Sequence, residues 1–457
     1  MHRLHAPRPG RALAAALVLA GLLPAPALGA PSAADQGIAA AERRIEGTVA
    51  TPDDYVELAS AFMRKSRESG DPGYYARANA AVERALALDP NHYGALRTAP
   101  WVLLGLHDFR GALAVAERAR AVEPEDWWNY GTLADAHVEL GDYARALEAA
   151  QRMVDLRPGL PSYARAAFLR ALFGDRAGAI ELLPLGVAAG SARDPEGRAW
   201  ALVQLGHEYF ASGDLAAAGR AYARALDVFP DYYTALGGLG RVRAAEGQLA
   251  AAADLYRRAV ARVPAPDLVA ALGDVHDAAG HADEAERQYA LVEYMGKVAA
   301  AVGTTYGRQL ALFYADHDRR PEEALRLARL EAAGRGDIYT DDTLAWACYK
   351  NGRLAEAARA AHRALRLGTE DAMLHYHAGT IAAALGHERI AARHLRRALR
   401  LNPHFDLRQA PLARQALAAL ERPVLAARDG VRRGPGSPCS PSPCLRSPPR
   451  IRSATSA

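Results

Sequence analysis

Proline recurs in this chain on a fixed beat. Pro90, Pro124 and Pro158 follow one another at 34 residues, and Pro264 follows Pro230 at the same interval. The gaps between these groups, 72 residues from Pro158 to Pro230 and 139 from Pro264 to Pro403, exceed whole multiples of the period by four and three. Glycine keeps the same time. Gly213 to Gly247 and Gly352 to Gly386 are each 34 residues, and Gly141 to Gly213 is 72. A fixed period of this length marks supersecondary units stacked in a row. It confines the chain of 457 residues to an elongated array rather than two or three separate globular domains.

Residues 202–230, LVQLGHEYFASGDLAAAGRAYARALDVFP, show one unit. An apolar-periodic helix runs to Gly213, which tolerates the left-handed geometry of a tight turn. A second amphipathic helix follows, and Pro230 forbids its continuation. Neither helix buries its apolar stripe alone, whereas stacked hairpins bury it continuously. Small residues let the paired helices approach: Leu205-Gly206 with Ala218, Leu239-Gly240 with Ala252, Leu272-Gly273 with Ala285. Tyr209, Tyr222, Tyr256 and Tyr289 supply bulk between them.

These units resemble tetratricopeptide repeats. Residues 199–232 match that pattern at Leu202, Leu205, Gly206, Tyr209, Ala218, Tyr222, Ala225 and Pro230. Residues 233–266 match at Leu236, Leu239, Gly240, Ala252, Tyr256, Ala259 and Pro264, with Arg243 in place of the first Tyr. Residues 127–160 match at Tyr130, Leu133, Ala146 and Pro158, and 372–405 at Gly379, Ala391, Leu395, Ala398 and Pro403. Weaker units occupy about 51–92, 93–126, 266–299 and 338–371. The resemblance implies an all-α fold, a right-handed superhelical α-solenoid of helix-turn-helix repeats. Two stretches leave the beat: 161–198, with extra residues around Pro184 and Pro195, and 300–337, read as an irregular hairpin whose second helix starts at Pro321. Residues 31–50 read as a linker and 406–421 as the terminal capping helix such arrays need. From 422 to 457 Pro, Ser, Gly and Arg dominate, the composition of a disordered tail.

Charge is distributed unevenly. The formal net charge is +4, but residues 1–30 contribute +3 and residues 422–457 contribute +6, leaving 31–421 at −5. An acidic body does not make the clustered basic stripe that nucleic acid requires. Residues 1–30 read as a secretory signal. Arg3, Arg8 and Arg11 precede the apolar run ALAAALVLAGLL, followed by Pro24 and small residues, with cleavage expected after Ala27 or Gly29. That run is too short to cross about 30 Å of hydrocarbon. The mature chain is therefore expected to be periplasmic or secreted, with no stable membrane insertion. Cys348 reads as a buried small hydrophobe in a helix; Cys439 and Cys444 lie in the tail and are free to pair in an oxidising compartment.

Phosphate loops, G-x-S-x-G and H-E-x-x-H are missing from the sequence. No catalytic residue, cofactor or metal site is assigned, and the chain reads as a non-enzymatic scaffold or adaptor. The alternative is an enzyme or enzyme subunit with a metal-assisted site in the irregular 295–345 region, which carries Asp316, His317, Asp318, Asp341 and Asp342. His375 and His377 point to different faces of a helix, and Thr51-Pro52-Asp53-Asp54 reads as a helix start.

In tetratricopeptide arrays the first helices of successive hairpins line a concave groove that holds a protein or peptide. Carrying those groove positions over gives Trp128 and Asp135, then Trp200, Gln204 and His207, then Arg241, then Tyr339, Trp346 and Tyr349. Trp128 and Trp200 share one repeat position, and aromatics are common interface anchors. The Lys/Asn/Arg clamp by which chaperone-binding members hold a terminal carboxylate is not reproduced. Val203, His207, Gly238 and Arg241 stand there instead.

Overall fold

The computed structural model describes residues 32–47, 49–301 and 306–429, with side chains as far as 421. The expected signal segment, the tail beyond 429 and its two cysteines lie outside the described residues. Twenty-two helices and no strand occur among the described residues. Helix α1 (Ala33–Gly47) precedes ten antiparallel hairpins. The first five are α2 (Pro52–Ser69) with α3 (Gly73–Leu88), α4 (Tyr93–Gly105) with α5 (Phe109–Val122), α6 (Trp127–Glu139) with α7 (Tyr143–Leu156), α8 (Leu160–Leu172) with α9 (Arg176–Ala189), and α10 (Pro195–Ala211) with α11 (Leu215–Val228). The second five are α12 (Tyr233–Ala245) with α13 (Leu249–Arg262), α14 (Pro266–Ala278) with α15 (Ala282–Ala301), α16 (Gly307–Asp316) with α17 (Pro321–Gly334), α18 (Ile338–Lys350) with α19 (Leu354–Ala364), and α20 (Ala372–Ala384) with α21 (Glu388–Leu401). Helix α22 (Gln409–Asp429) closes the series. Consecutive helices pack together at nearly every step, and so do successive even-numbered helices. The even-numbered helices thus form one continuous layer, the odd-numbered helices the other.

Local chemistry explains the joints. At each repeating proline the preceding helix ends two residues earlier, and its cap residue is extended: Asp89, Glu123, Arg157, Phe229, Val263 and Asn402 have φ between −130° and −153° and ψ between 86° and 111°. The proline ring excludes helical geometry from the residue before it. Inside the hairpins, Gly141, Gly174, Gly213, Gly247, Gly280, Gly352 and Gly386 all have φ between 71° and 82°. The backbone N–H of the next residue donates back across the turn, as from Asp142 to His137 and from Asp214 to Tyr209. Asp108, Asp142, Asp175 and Asp214 then cap the second helix by accepting from the N–H three residues on. Two turns use other residues, His107 (φ 62°) and Asp318 (φ 52°), so their hairpins are silent in the glycine rhythm. Thr51 and Asp54 make the reciprocal capping box at the start of α2.

The off-beat stretches are regular helices with additions. Residues 160–189 form an ordinary hairpin, and Gly190 to Asp194 are a loop before α10. Helix α10 has 17 residues where α8 and α12 have 13; four residues are about one helical turn. Helix α17 begins at Pro321, as its sequence implies. Residues 31–50, read as a linker, contain α1, which buries Ala34 and Ala41 and packs against α2.

Helix pairs interlock through glycine and tyrosine. A Cβ on Gly206 or Gly238 would lie 2.5 or 2.4 Å from the Tyr222 ring, and one on Gly273 would lie 2.5 Å from Tyr289. Tyr222 is fully buried between its two glycines. Ala146, Ala218, Ala252 and Ala391, at equivalent places, are inaccessible to solvent.

Hairpin turns also meet loops almost six repeats later. Tyr143 Oη accepts from the Ile338 N–H at 2.9 Å, 195 residues away. Thr369 Oγ1 donates to the Leu172 carbonyl across 197 residues, and Asn402 Nδ2 to the Phe210 carbonyl at 2.8 Å across 192. The Gly336 N–H donates to Glu139 O at 2.9 Å. Three successive turns therefore dock on three successive loops, one superhelical turn against the next.

Gly247 and Gly141 separate these effects. Both have φ 77°, but nothing lies within 4 Å of a Cβ on Gly247, whereas one on Gly141 would be 2.3 Å from Gly336 O. Gly247→Ala is expected to cost about 1–2 kcal/mol from backbone strain alone. Gly141→Ala is expected to cost more and to loosen the 335–338 contact. Urea unfolding followed by far-UV circular dichroism, with hydrogen exchange at the Gly336 and Ile338 amides, checks both.

Candidate functional site

The groove residues inferred from the repeat register fall into three settings. Trp200 is 37 % exposed and lines a cleft of about 480 Å³ with Tyr75, Tyr232, Tyr233 and Tyr306. The cleft lies where the turns of the first two hairpins meet the opening turns of α10, α12, α14 and α16. Arg67 and Glu196 bridge it at 3.2 Å, and Tyr232 Oη donates to Glu196 Oε1 at 3.1 Å. Burial pushes the Tyr232 and Tyr233 hydroxyls and the Asp267 carboxyl upward, so all three favour the protonated form.

His207, Arg241, Trp128 and Asp135 are engaged within the array. His207 Nδ1 is 2.7 Å from Tyr222 Oη, and the Arg241 guanidinium lies 4.0 Å from the Phe210 ring centre. Burial, then the Arg241 charge, lowers the His207 pKa to about 3, so this imidazole is neutral at physiological pH. Trp128 meets Trp101 edge to face at 5.6 Å, with Arg97 over its ring at 5.0 Å. Its buried Nε1 has no hydrogen-bond partner. Asp135 forms a two-pronged pair with Arg165 at 2.9 and 2.6 Å. Gln204 is half-buried on α10.

Tyr339, Trp346 and Tyr349 belong to the third setting, on α18. Trp346 is buried, donates its Nε1–H to Asp316 Oδ1 at 2.8 Å, and stacks between Tyr349 at 4.9 Å and His377 at 4.1 Å. Tyr339 lines a separate cavity of about 230 Å³ with Arg308, Asp316, Asp342, Asp371 and His377. His377 Nδ1 is 2.9 Å from Asp342 Oδ2. Burial alone would lower the His377 pKa, but Asp342, Asp316 and Asp371 outweigh it and hold the pKa above its ordinary value. A third cavity of about 320 Å³, between α12, α14 and the 403–414 segment, includes Arg241.

The residues behind the metal-assisted alternative are dispersed among other partners. His317 Nε2 is 2.7 Å from Asp274 Oδ1 and its Nδ1 is 2.8 Å from the Phe313 carbonyl. Asp318 pairs with Lys350, Asp341 with Arg363 and Arg366, and Asp342 with His377. No three His, Cys, Asp or Glu side chains are placed to hold a metal ion among the described residues. Cys348 is buried in α18.

Sequence reasoning missed Tyr75, Tyr232, Tyr233, Tyr306 and Asp371. The two tyrosines at 232–233 follow a repeat proline and look like ordinary inter-repeat bulk. Tyr75 and Tyr306 reach the cleft only because the superhelix returns upon itself.

An all-α solenoid of paired helices, with a concave layer carrying aromatic and charged side chains, is the class this architecture defines. Its units are tetratricopeptide repeats: family models for that repeat match residues 103–169 and 203–267. No curated protein matches the chain. Solved structures similar to it include the APC/C hetero-tetramer Cut9-Hcn1, with 16 % identity, 84 % of this chain and 92 % of that one covered, and a TM-score of 0.32. Another is a thermophilic TPR protein of Thermus thermophilus, with 24 % identity, 41 % and 99 % covered, and a TM-score of 0.35. A third is the human IFIT1 dimer with m7Gppp-AAAA, with 15 % identity, 80 % and 85 % covered, and a TM-score of 0.45.

Asp316 makes the interior sensitive to pH. It accepts from Trp346 and, at 2.6 Å, from Gln409 Nε2, yet burial pushes its carboxyl up to about 6. The folded chain then binds this proton more tightly than the unfolded chain, in which the pKa is about 3.9, so stability falls as pH rises through that interval. Asp316→Asn keeps an acceptor oxygen and removes the ionisation. Its thermal midpoint relative to the parent chain is expected to improve from pH ~4 to ~7, as measured by differential scanning calorimetry.

Proposed function

We propose that the protein is an exported, non-enzymatic scaffold that holds a segment of a protein partner in its concave groove, anchored in the aromatic cleft at Trp200. The observation that carries this reading is the cleft: five aromatic side chains from widely separated hairpins converge around about 480 Å³. Large aromatic surfaces with polar tips bind other chains well, because they bury much apolar area while ordering few torsions. The cleft is held open before any partner arrives by the Arg67–Glu196 bridge and the Tyr232–Glu196 hydrogen bond. Preformed surfaces bind with little rearrangement. Tetratricopeptide repeats are protein-binding scaffolds, which supports the same conclusion.

Selection of a displayed peptide library on the full chain tests the binding site. Enriched peptides are expected to lose about thirtyfold in affinity, equivalent to ~2 kcal/mol, when Trp200→Ala replaces the parent chain. A selection that enriches nothing, or peptides indifferent to Trp200→Ala, overturns the reading.

Export rests on the basic start, short apolar run and small residues of 1–30. Intact-mass analysis of the chain recovered from the periplasm of an expressing bacterium is expected to show a new N-terminus after Ala27 or Gly29. A chain that stays in the cytoplasm beginning at Met1 overturns it.

A further inference from the structure

Three helices of the groove layer bring carboxylates to one cavity. Helix α16 supplies Asp316 and Leu312, α18 supplies Asp342, Tyr339 and Thr343, and Asp371 caps α20, which supplies His377, Met373 and Leu374. The cavity measures about 230 Å³. The positive groups facing it are few and engaged. Arg308 lies 3.4 Å from Asp337, and His377 is bonded to Asp342. Arg176, on α9, is directed to Glu208 and the Glu370 carbonyl. Counting Asp316, Asp342 and Asp371 against Arg308 and a protonated His377, the wall remains negative.

Two buried atoms of this wall lack a partner. Asp342 is 5 % exposed and its Oδ1 makes no hydrogen bond; His377 is 1 % exposed and its Nε2 makes none. Buried polar atoms are paired in nearly all folded proteins, so an unpaired set on a cavity wall marks a place where a ligand completes the bonding. With the Nδ1–H of neutral His377 donating to Asp342, Nε2 is an acceptor. The unfilled valences are then acceptors in a negative field, and the field is strong enough to hold the fully buried His377 toward its cationic form. Leu312, Met373 and Leu374 give the same cavity an apolar flank.

We propose that this cavity receives an arginine side chain of the partner segment. The guanidinium has five N–H donors and no acceptor, matching an acceptor-rich wall. The methylene stem suits the leucine and methionine flank. An anion is excluded by the charge of the wall, and a purely apolar side chain would leave Asp342 and His377 unpaired. The inference deepens the peptide-binding reading and rests on it.

Calorimetric titration of the full chain with Nα-acetyl-arginine amide tests the assignment, with the neutral isostere Nα-acetyl-citrulline amide as control. One-to-one saturable binding of the arginine probe is expected, with the citrulline probe at least about tenfold weaker, the scale of one charge-assisted hydrogen bond. Asp342→Asn and Asp371→Asn are each expected to weaken the arginine probe by a similar factor. Asn keeps the acceptor facing His377 in the first variant and remains a good helix cap in the second. Far-UV circular dichroism confirms that each variant is folded. No saturable heat, equal binding of the two probes, or full binding by both folded variants overturns the proposal. Peptides selected through Trp200 alongside a silent arginine probe would sink this inference and leave the scaffold reading standing. Arginine binding with no peptide selected would do the reverse.

Discussion

Everything in this fold depends on the inability of one hairpin to bury its own apolar stripe. Each unit presents small residues on one helix and a tyrosine on another, and only a neighbouring unit completes the contact. Tyr222 shows the dependence: its ring lies against Gly206 within its own hairpin and against Gly238 of the next. A Cβ at either glycine would collide with it. Stability is therefore shared between units and interfaces, and the array grows in one direction until α22 covers the last exposed face.

Growth in one direction would leave a loose coil if successive turns did not touch. They do touch, at polar backbone points. The turns after α6, α8 and α10 dock on the loops before α18, α20 and α22 through the Gly336, Thr369 and Asn402 contacts. These contacts close the side of the superhelix and fix the helices that line its inner layer. They also create the cleft, because the first hairpin turns come to rest near Trp200, Tyr232 and Tyr306. Binding surface and inter-turn seam are consequences of one geometry.

The inner layer differs along its length. Around Trp200 it is aromatic, with one carboxylate tied to Arg67. Around α16, α18 and α20 it is acidic, and its buried carboxylates are shifted toward their protonated forms by burial. A partner segment lying along it would meet an aromatic anchor and an acidic recess in one groove. Several residues whose groove positions follow from the repeat register turn out to be tied up inside it. His207 is spent on Tyr222, Asp135 on Arg165, and Trp346 on Asp316, Tyr349 and His377. Register places a side chain on a face, but the next hairpin decides whether that side chain is covered.

Sequence alone determined the local architecture. Period, proline and glycine fix the hairpins, because each acts on the backbone of its own neighbourhood: proline forces the preceding cap residue into extended geometry, and glycine accepts the left-handed turn. The two hairpins without that glycine, at His107 and Asp318, were legible only through their apolar period, since a left-handed non-glycine leaves no signature. Contacts across 192 to 197 residues were not legible at all. They depend on small rotations accumulated over almost six repeats, which no local pattern encodes. Tertiary structure therefore decided which aromatics share a cleft, which carboxylates share a cavity, and which groove side chains remain free to meet a partner.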